Sequence, residues 1–167
     1  RKAIELNPDF ADAHSNLGNI LIELGQFQET EKSYRKAIEL NPAFAEAYQN
    51  LSFIELLRGD YESGLENYEF RFKKKNPTPP HGNSKLQRIN NNKLQKGEKI
   101  LVIGEQGLGD TFQFMRYIPY LRNQGFDISF CTLEKLHSLI QASNIELNPL
   151  TPQEVNIVST GKWIPLL

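Results

Sequence analysis

The chain has 167 residues, with 19 Lys and Arg against 20 Asp and Glu. That balance leaves no global basic field to argue for nucleic-acid binding. The single cysteine, Cys131, excludes an internal disulfide and a multi-cysteine metal site.

The three histidines, His14, His81 and His137, lie far apart and show no metal-ligand spacing, so no metal is expected. No apolar run approaches the roughly 20 residues that span a bilayer, and the polar N-terminus carries no signal peptide. A cytoplasmic protein with no transmembrane segment is the expectation. The chain opens on what reads as the tail of a helix and closes on the apolar run Trp163-Ile164-Pro165-Leu166-Leu167. It therefore reads as a fragment of a longer protein.

The first half repeats itself at an offset of 34 residues. Arg1-Lys2-Ala3-Ile4-Glu5-Leu6-Asn7-Pro8 returns as Arg35-Lys36-Ala37-Ile38-Glu39-Leu40-Asn41-Pro42, and Phe10, Ala11 and Ala13 return as Phe44, Ala45 and Ala47. Asn16-Leu17, Gly25 and Tyr34 return as Asn50-Leu51, Gly59 and Tyr68. Each unit reads as two antiparallel helices turning at Gly25 or Gly59. Ala13, Leu17, Ile20, Leu21 and Leu24 form one apolar stripe, and Phe27, Tyr34, Ala37 and Ile38 form the other. Gly18 and Ala37 are small where the helices meet, and Pro42 stops the second helix. The period and pattern resemble tetratricopeptide repeats: a tail over 1–8, a full repeat over about 9–42 and a decayed one over about 43–75. In the decayed repeat Ser52, Glu55 and Arg71 replace Gly18, Leu21 and Ala37, as expected where a solenoid ends. Phe53, Leu56 and Leu57 add apolar surface there, expected to receive the segment that follows.

Asn16 and Asn50 hold the same slot in successive first helices. An Asn amide both donates and accepts, so the pair can hold a peptide backbone. This resembles the asparagine ladder of the O-linked N-acetylglucosamine transferases. The bland alternative is a common polar residue beside Leu in this repeat. Residues 1–72 carry 7 basic and 13 acidic residues, which favours a basic protein or peptide partner. The Asn50-Leu51-Ser52 sequon lies inside a helix and is discounted.

Composition changes at Lys73. Residues 73–99 hold 8 basic residues and one acidic, Glu98, and the Pro and Gly of 77–82 exclude a helix. Residues 76–97 read as a solvated basic, Pro-rich linker, or as a contact for an anionic partner. The absence of aromatic residues argues against base stacking.

Residues 98–167 read as α/β. Lys99-Ile100-Leu101-Val102-Ile103 is a buried parallel strand, residues from Phe112 to Leu121 a helix shortened at Pro119, Phe126 to Cys131 a second strand and Leu133 to Ile140 a second helix. In such sheets ligands bind beyond the carboxyl ends of the strands, where Gly104-Glu105-Gln106-Gly107-Leu108-Gly109-Asp110-Thr111 falls. It is not a dinucleotide fingerprint, because the last glycine position is Phe112. It is not a phosphate loop either, because Asp110 stands where that loop needs lysine.

The run Glu105-Gln106-Gly107-Leu108-Gly109-Asp110-Thr111, with Gln113-Phe114, Arg116-Tyr117, Pro119 and Leu121, resembles bacterial tetratricopeptide proteins with a C-terminal glycosyltransferase-like domain. That domain is related to the heptosyltransferases, of GT-B fold. Tyr68-Glu69-Phe70-Arg71-Phe72 and Pro165-Leu166-Leu167 resemble the same family, whose hinge Trp and Gly are missing from Arg88 to Asn92. The resemblance implies sugar transfer from a nucleotide-sugar donor to an acceptor hydroxyl. The acceptor would lie at the glycine loop among Glu105, Gln106, Gly107, Gly109, Thr111 and Arg116. Asp110 would be the general base, since a sugar hydroxyl attacks poorly until its proton is taken. Asp110 can equally serve as a helix N-cap, and Arg116 as a surface salt bridge. No bound cofactor is implied for these residues. The donor is expected on a further C-terminal domain, so the chain itself is expected to bind partners and to be inactive. The alternative is a non-catalytic scaffold whose α/β half caps the solenoid.

Overall fold

The computed structural model describes residues 2–89, 94–105 and 107–166. They form two units divided between Pro77 and Thr78.

The first unit is helical: α1 (Lys2–Leu6), α2 (Ala11–Glu23), α3 (Phe27–Leu40), α4 (Ala45–Leu57) and α5 (Tyr61–Tyr68). The 34-residue period reappears as identical local chemistry. Asn7 Oδ1 accepts the Asp9 N–H at 3.2 Å, and Asn41 Oδ1 accepts the Ala43 N–H at 3.1 Å. Each side chain closes a tight turn across the proline that follows it. Gly25 and Gly59 turn the helix pairs at φ of 70° and 84°, in the left-handed region that favours glycine.

Pairing of α2 with α3 depends on Gly18. A Cβ there would stand 2.5 Å from the ring of Tyr34, which is fully buried with Leu51 and Ile54 and donates its hydroxyl to Asn19 Oδ1 at 2.8 Å. The apolar stripe of α2 is only partly covered. Leu21 is buried, but Ile20 and Leu24 are 56% and 64% exposed. Ile54, the equivalent of Ile20 one period later, is completely buried. Burial is therefore set by the repeat stacked alongside and not by the pattern within one helix.

The substitution of Leu21 by Glu55 has a specific answer. Glu55 is buried, and its carboxylate accepts from Arg35 of α3 at 3.0 Å and from Asn67 of α5 at 2.7 Å. Arg35 also pairs with Glu31 at 3.0 Å, and Glu31 with Arg58. Arg35→Met strands a buried carboxylate and is expected to cost about 3 kcal/mol, the low end of the usual range because Arg35 is half exposed. Glu55→Leu removes the charge with its cost and should melt at or above the parent. Urea melting followed by helical circular dichroism checks both. A Glu55→Leu protein that melts far below the parent would show that the network stabilises beyond repaying its own desolvation.

Helix α5 is shorter than α3 and passes into a 3₁₀ turn, Glu69–Lys73. Phe70 stacks on Tyr48 of α4 at 3.7 Å, and Arg71 is buried between the rings of Tyr68 and Phe72 at 4.2 and 4.0 Å. Arg71 replaces Ala37 because the helix has already ended. Phe53 and Leu57 stay 47% and 66% exposed.

The second unit is a four-stranded parallel sheet of order β1-β4-β2-β3: β1 (Gln87–Arg88), β2 (Lys99–Gly104), β3 (Asp127–Cys131) and β4 (Lys162–Leu166). Residues 78–89, which composition reads as part of a linker, belong to this unit and supply its edge strand. Helices α6 (Leu108–Phe114) and α7 (Tyr117–Asn123) connect β2 to β3. The break between them falls at Met115-Arg116, ahead of Pro119. Pro119 sits in the first turn of α7, where its missing N–H costs no hydrogen bond. The second expected helix is a 3₁₀ turn, Glu134–Leu136, followed by α8 (His137–Ala142).

Both sheet faces are covered, which is why β2 is a continuous apolar run. Ile100, Val102, Ile128 and Phe130 pack with Ile118, Leu136 and Ile140 on one face. Leu101, Ile103 and Cys131 pack with Val155, Leu86 and Trp163 on the other. Beyond β3 the chain forms one parallel bridge, Cys131 to Leu150, and then returns to lie on the far side of β2 as β4. The strand order thus reverses between β2 and β4.

The terminal apolar run is this inner strand, despite Pro165. Trp163 accepts the Ile89 N–H at 2.9 Å, so the odd residues of β4 face β1. Pro165 lies two residues beyond Trp163, the last β4 residue whose pairing with β1 is described.

Candidate functional site

The reversal between β2 and β4 marks the crevice where open α/β sheets bind ligands. The loop after β2 lies at it. Glu105 is buried directly beyond Gly104, and Gln106 lies outside the described residues. Gly107 is the N-cap of α6, with extended backbone. Asp110 is therefore not the N-cap residue that sequence allowed. It is the third helical residue, and its Oδ2 reaches back to accept the Gly107 N–H at 3.1 Å. Thr111 is buried and donates its hydroxyl to the Gly107 carbonyl at 3.2 Å. It braces the loop from inside. Arg116 is exposed at the break between α6 and α7, with its guanidinium 5.3 Å from the Tyr117 ring centre.

The two loop glycines differ from those at the turns. Neither has a left-handed backbone. A Cβ at Gly107 would meet only the Asp110 carboxylate, at 3.3 Å, and a Cβ at Gly109 would meet nothing within 4 Å. The fold itself does not demand glycine at 109. Glycine there leaves the backbone bare on the open side of the loop, where a ligand can come close.

A histidine that sequence reasoning assigned to the linker stands beside this loop. The His81 N–H donates to the Gly104 carbonyl at 2.7 Å. Its Nδ1 occupies the place of a Gly104 side chain, 2.7 Å from where a Cβ would be. Gly82 follows into a gap against Val155 and the Cys131 Sγ. Burial and the charge of Glu154 push the Cys131 thiol up to about 12, so it is an inert core group. On the next strand end, His137 Nε2 lies 3.2 Å from the Thr132 carbonyl. No period or spacing pointed to His81, because the residues around it have no regular pattern.

In the first unit Asn16 is exposed on α2. Asn50 spends an amide hydrogen on Asn19 Oδ1 of the preceding repeat, at 3.1 Å. Asn19 also receives the Tyr34 hydroxyl. A separate groove of about 280 Å³ is lined by Arg35, Ile38, Glu39, Tyr48, Leu51 and Asn67. Among the described residues no group of three or more His, Cys, Asp or Glu could hold a metal, and no helix is long and apolar enough to cross a membrane.

Two tetratricopeptide-repeat models match, over residues 11–44 and 33–66. No curated protein matches the chain in sequence. Among solved structures, a crystal structure of MamA is 28% identical over 41% of this chain and 40% of its own, with a TM-score of 0.39. A MamA mutant is 25% identical over 45% and 56%, with a TM-score of 0.40. A mutant O-GlcNAc transferase of Thermobaculum terrenum is 20% identical over 85% of this chain and 28% of its own, with a TM-score of 0.39. This chain thus spans about two fifths of the first MamA structure. The helical unit of this protein, over residues 11–66, is built of tetratricopeptide repeats, and a parallel sheet follows it.

Proposed function

We propose that this chain belongs to a bacterial glycosyltransferase whose repeats recruit a protein or peptide partner and whose α/β unit holds the acceptor. The observation that carries the reading is Gly109. It is a glycine that neither backbone conformation nor packing requires, bare at the topological switch and one residue before a carboxylate. The sugar comes from a nucleotide-sugar donor held by a further domain, and the acceptor hydroxyl lies over Gly107 and Gly109. Asp110 takes its proton as the new C–O bond forms, while the bond to the diphosphate breaks and the diphosphate leaves with the electron pair. Asn16 extends the reading to the repeats, as a side chain open to a partner's backbone.

Calorimetry of the full-length protein against a panel of UDP-, GDP-, ADP- and dTDP-sugars tests this. One donor is expected to bind. A folded protein that binds none favours the non-catalytic scaffold, in which Asp110 and Thr111 only shape a turn.

A further inference from the structure

We infer that the repeats anchor their partner in the groove between α3, α4 and α5, and that the partner is a basic peptide segment carrying one large apolar side chain; the inference rests on the reading above that the repeats recruit a peptide. The groove is lined by Arg35, Ile38 and Glu39 of α3, Tyr48 and Leu51 of α4 and Asn67 of α5. It is not part of the asparagine stripe. Tyr48 stands two residues from Asn50 in α4, and two residues turn a helix by about 200°. The two side chains therefore leave α4 on opposite sides.

Size selects the occupant first. The groove holds about 280 Å³, just under the roughly 300 Å³ at which pockets for whole small molecules begin. A side chain or two fits, and a nucleotide sugar does not. The floor is apolar. It is made by Ile38 and the buried Leu51, with the ring of Tyr48 steadied by stacking on Phe70 at 3.7 Å. Such a floor takes a side chain such as phenylalanine, and a few buried anchors of that kind carry most of the energy of an interface.

The rim is polar and rigid. Arg35 donates Nε to Glu31 and Nη2 to Glu55, and Asn67 donates its amide to the same Glu55. One buried carboxylate thus fixes a rim residue on α3 and another on α5. Arg35 Nη1 and Asn67 Oδ1 take no part in those bonds, so the rim keeps a donor and an acceptor suited to a peptide backbone.

Charge selects the rest. Lys32, Arg35, Lys36, Arg58 and Arg71 each pair with a carboxylate of their own unit. Glu62 and Glu66, exposed on α5 just ahead of Asn67, pair with no cation among the described residues. Part of the acidic excess of residues 1–72 is therefore unpaired beside the groove, where arginines flanking the anchor can meet it. Contacts of that kind are screened by salt.

Fluorescein-labelled nonapeptides with a central Phe or Ala, flanked by pairs of Arg or of Glu, test the inference by anisotropy with the full-length protein. The Phe peptide with Arg flanks is expected to bind, and more weakly as salt is raised. A central Ala should raise its Kd at least tenfold, and Glu flanks should abolish binding. Ile38→Trp fills the groove, and Glu66→Lys reverses an exposed charge beside it. Each is expected to raise the Kd of the Phe peptide at least tenfold; if Ile38→Trp unfolds the repeats, Glu66→Lys decides alone. Equal affinities for the Phe and Ala peptides would overturn the inference. Binding that falls in Asn16→Ala but is unchanged in both groove variants would overturn it too, and would leave the partner reading standing on the asparagine stripe. A folded parent that binds no peptide of the panel removes both together.

Discussion

Asp110→Asn is expected to lower the rate of sugar transfer by about 10²- to 10⁴-fold, the usual worth of a positioned base, while donor binding and melting temperature stay unchanged. The substitution separates two roles that one carboxylate holds. An asparagine side chain still offers Oδ1 to the Gly107 N–H, now accepted by Asp110 Oδ2 at 3.1 Å, so the start of α6 and the shape of the loop are retained. What disappears is the basic oxygen that can carry away a proton. Transfer rates and calorimetry on the full-length protein read the two effects apart. Unchanged turnover with intact binding would reduce Asp110 to a brace for the loop. A fall in rate that tracks a fall in melting temperature would do the same.

Gly161→Ala is expected to be the most damaging single methyl group in the sheet, costing about 2–6 kcal/mol. Gly161 precedes β4 with φ of 106°, and a Cβ there would lie 2.5 Å from the Lys99 carbonyl oxygen. A non-glycine residue in such a conformation costs roughly 1–3 kcal/mol. The overlap with backbone, which cannot swing aside as a side-chain tip can, adds roughly 1–3 kcal/mol more. Because β4 is an inner strand, the strain reaches the pairing with β2. Urea unfolding followed by fluorescence of Trp163, the only tryptophan, reads the loss directly. Gly109→Ala is the control: with free space around it, the same methyl group should leave stability within about 1 kcal/mol of the parent, or raise it slightly through helix propensity. If both variants unfold alike, the distinction between a glycine demanded by the fold and one left for a ligand fails.

The repeats were legible because their signal is local and doubled. Asn-Pro punctuation, turn glycines and the Gly18 to Tyr34 contact each recur or pair within one 34-residue period. The strands β2 and β3 were legible for a related reason, since a strand covered on both faces is apolar throughout. Strand β1 was not, because two polar residues, Gln87 and Arg88, carry no pattern and pair only through β4. Strand β4 was obscured by Pro165, since proline removes a ladder donor and argues against an inner strand.

The candidate site divides in the same way. The loop residues Gly107, Gly109 and Asp110 were marked by composition and by their place after a strand. The inward turn of Thr111 and the burial of Glu105 were not visible, and neither was the arrival of His81 from more than 20 residues upstream of the loop.

The sequence by itself determined the helical repeats, the parallel α/β unit and the loop after β2, because each follows from periodicity or turn chemistry read over a few residues. Only the tertiary structure decided which equivalent residues are buried, as with Ile54 against Ile20, and what a buried Glu55 pairs with. It alone decided that residues 78–89 belong with the sheet and bring His81 to the carboxyl end of β2. Those outcomes depend on which segments meet across long stretches of chain, and burial and pairing belong to the meeting, not to either segment alone.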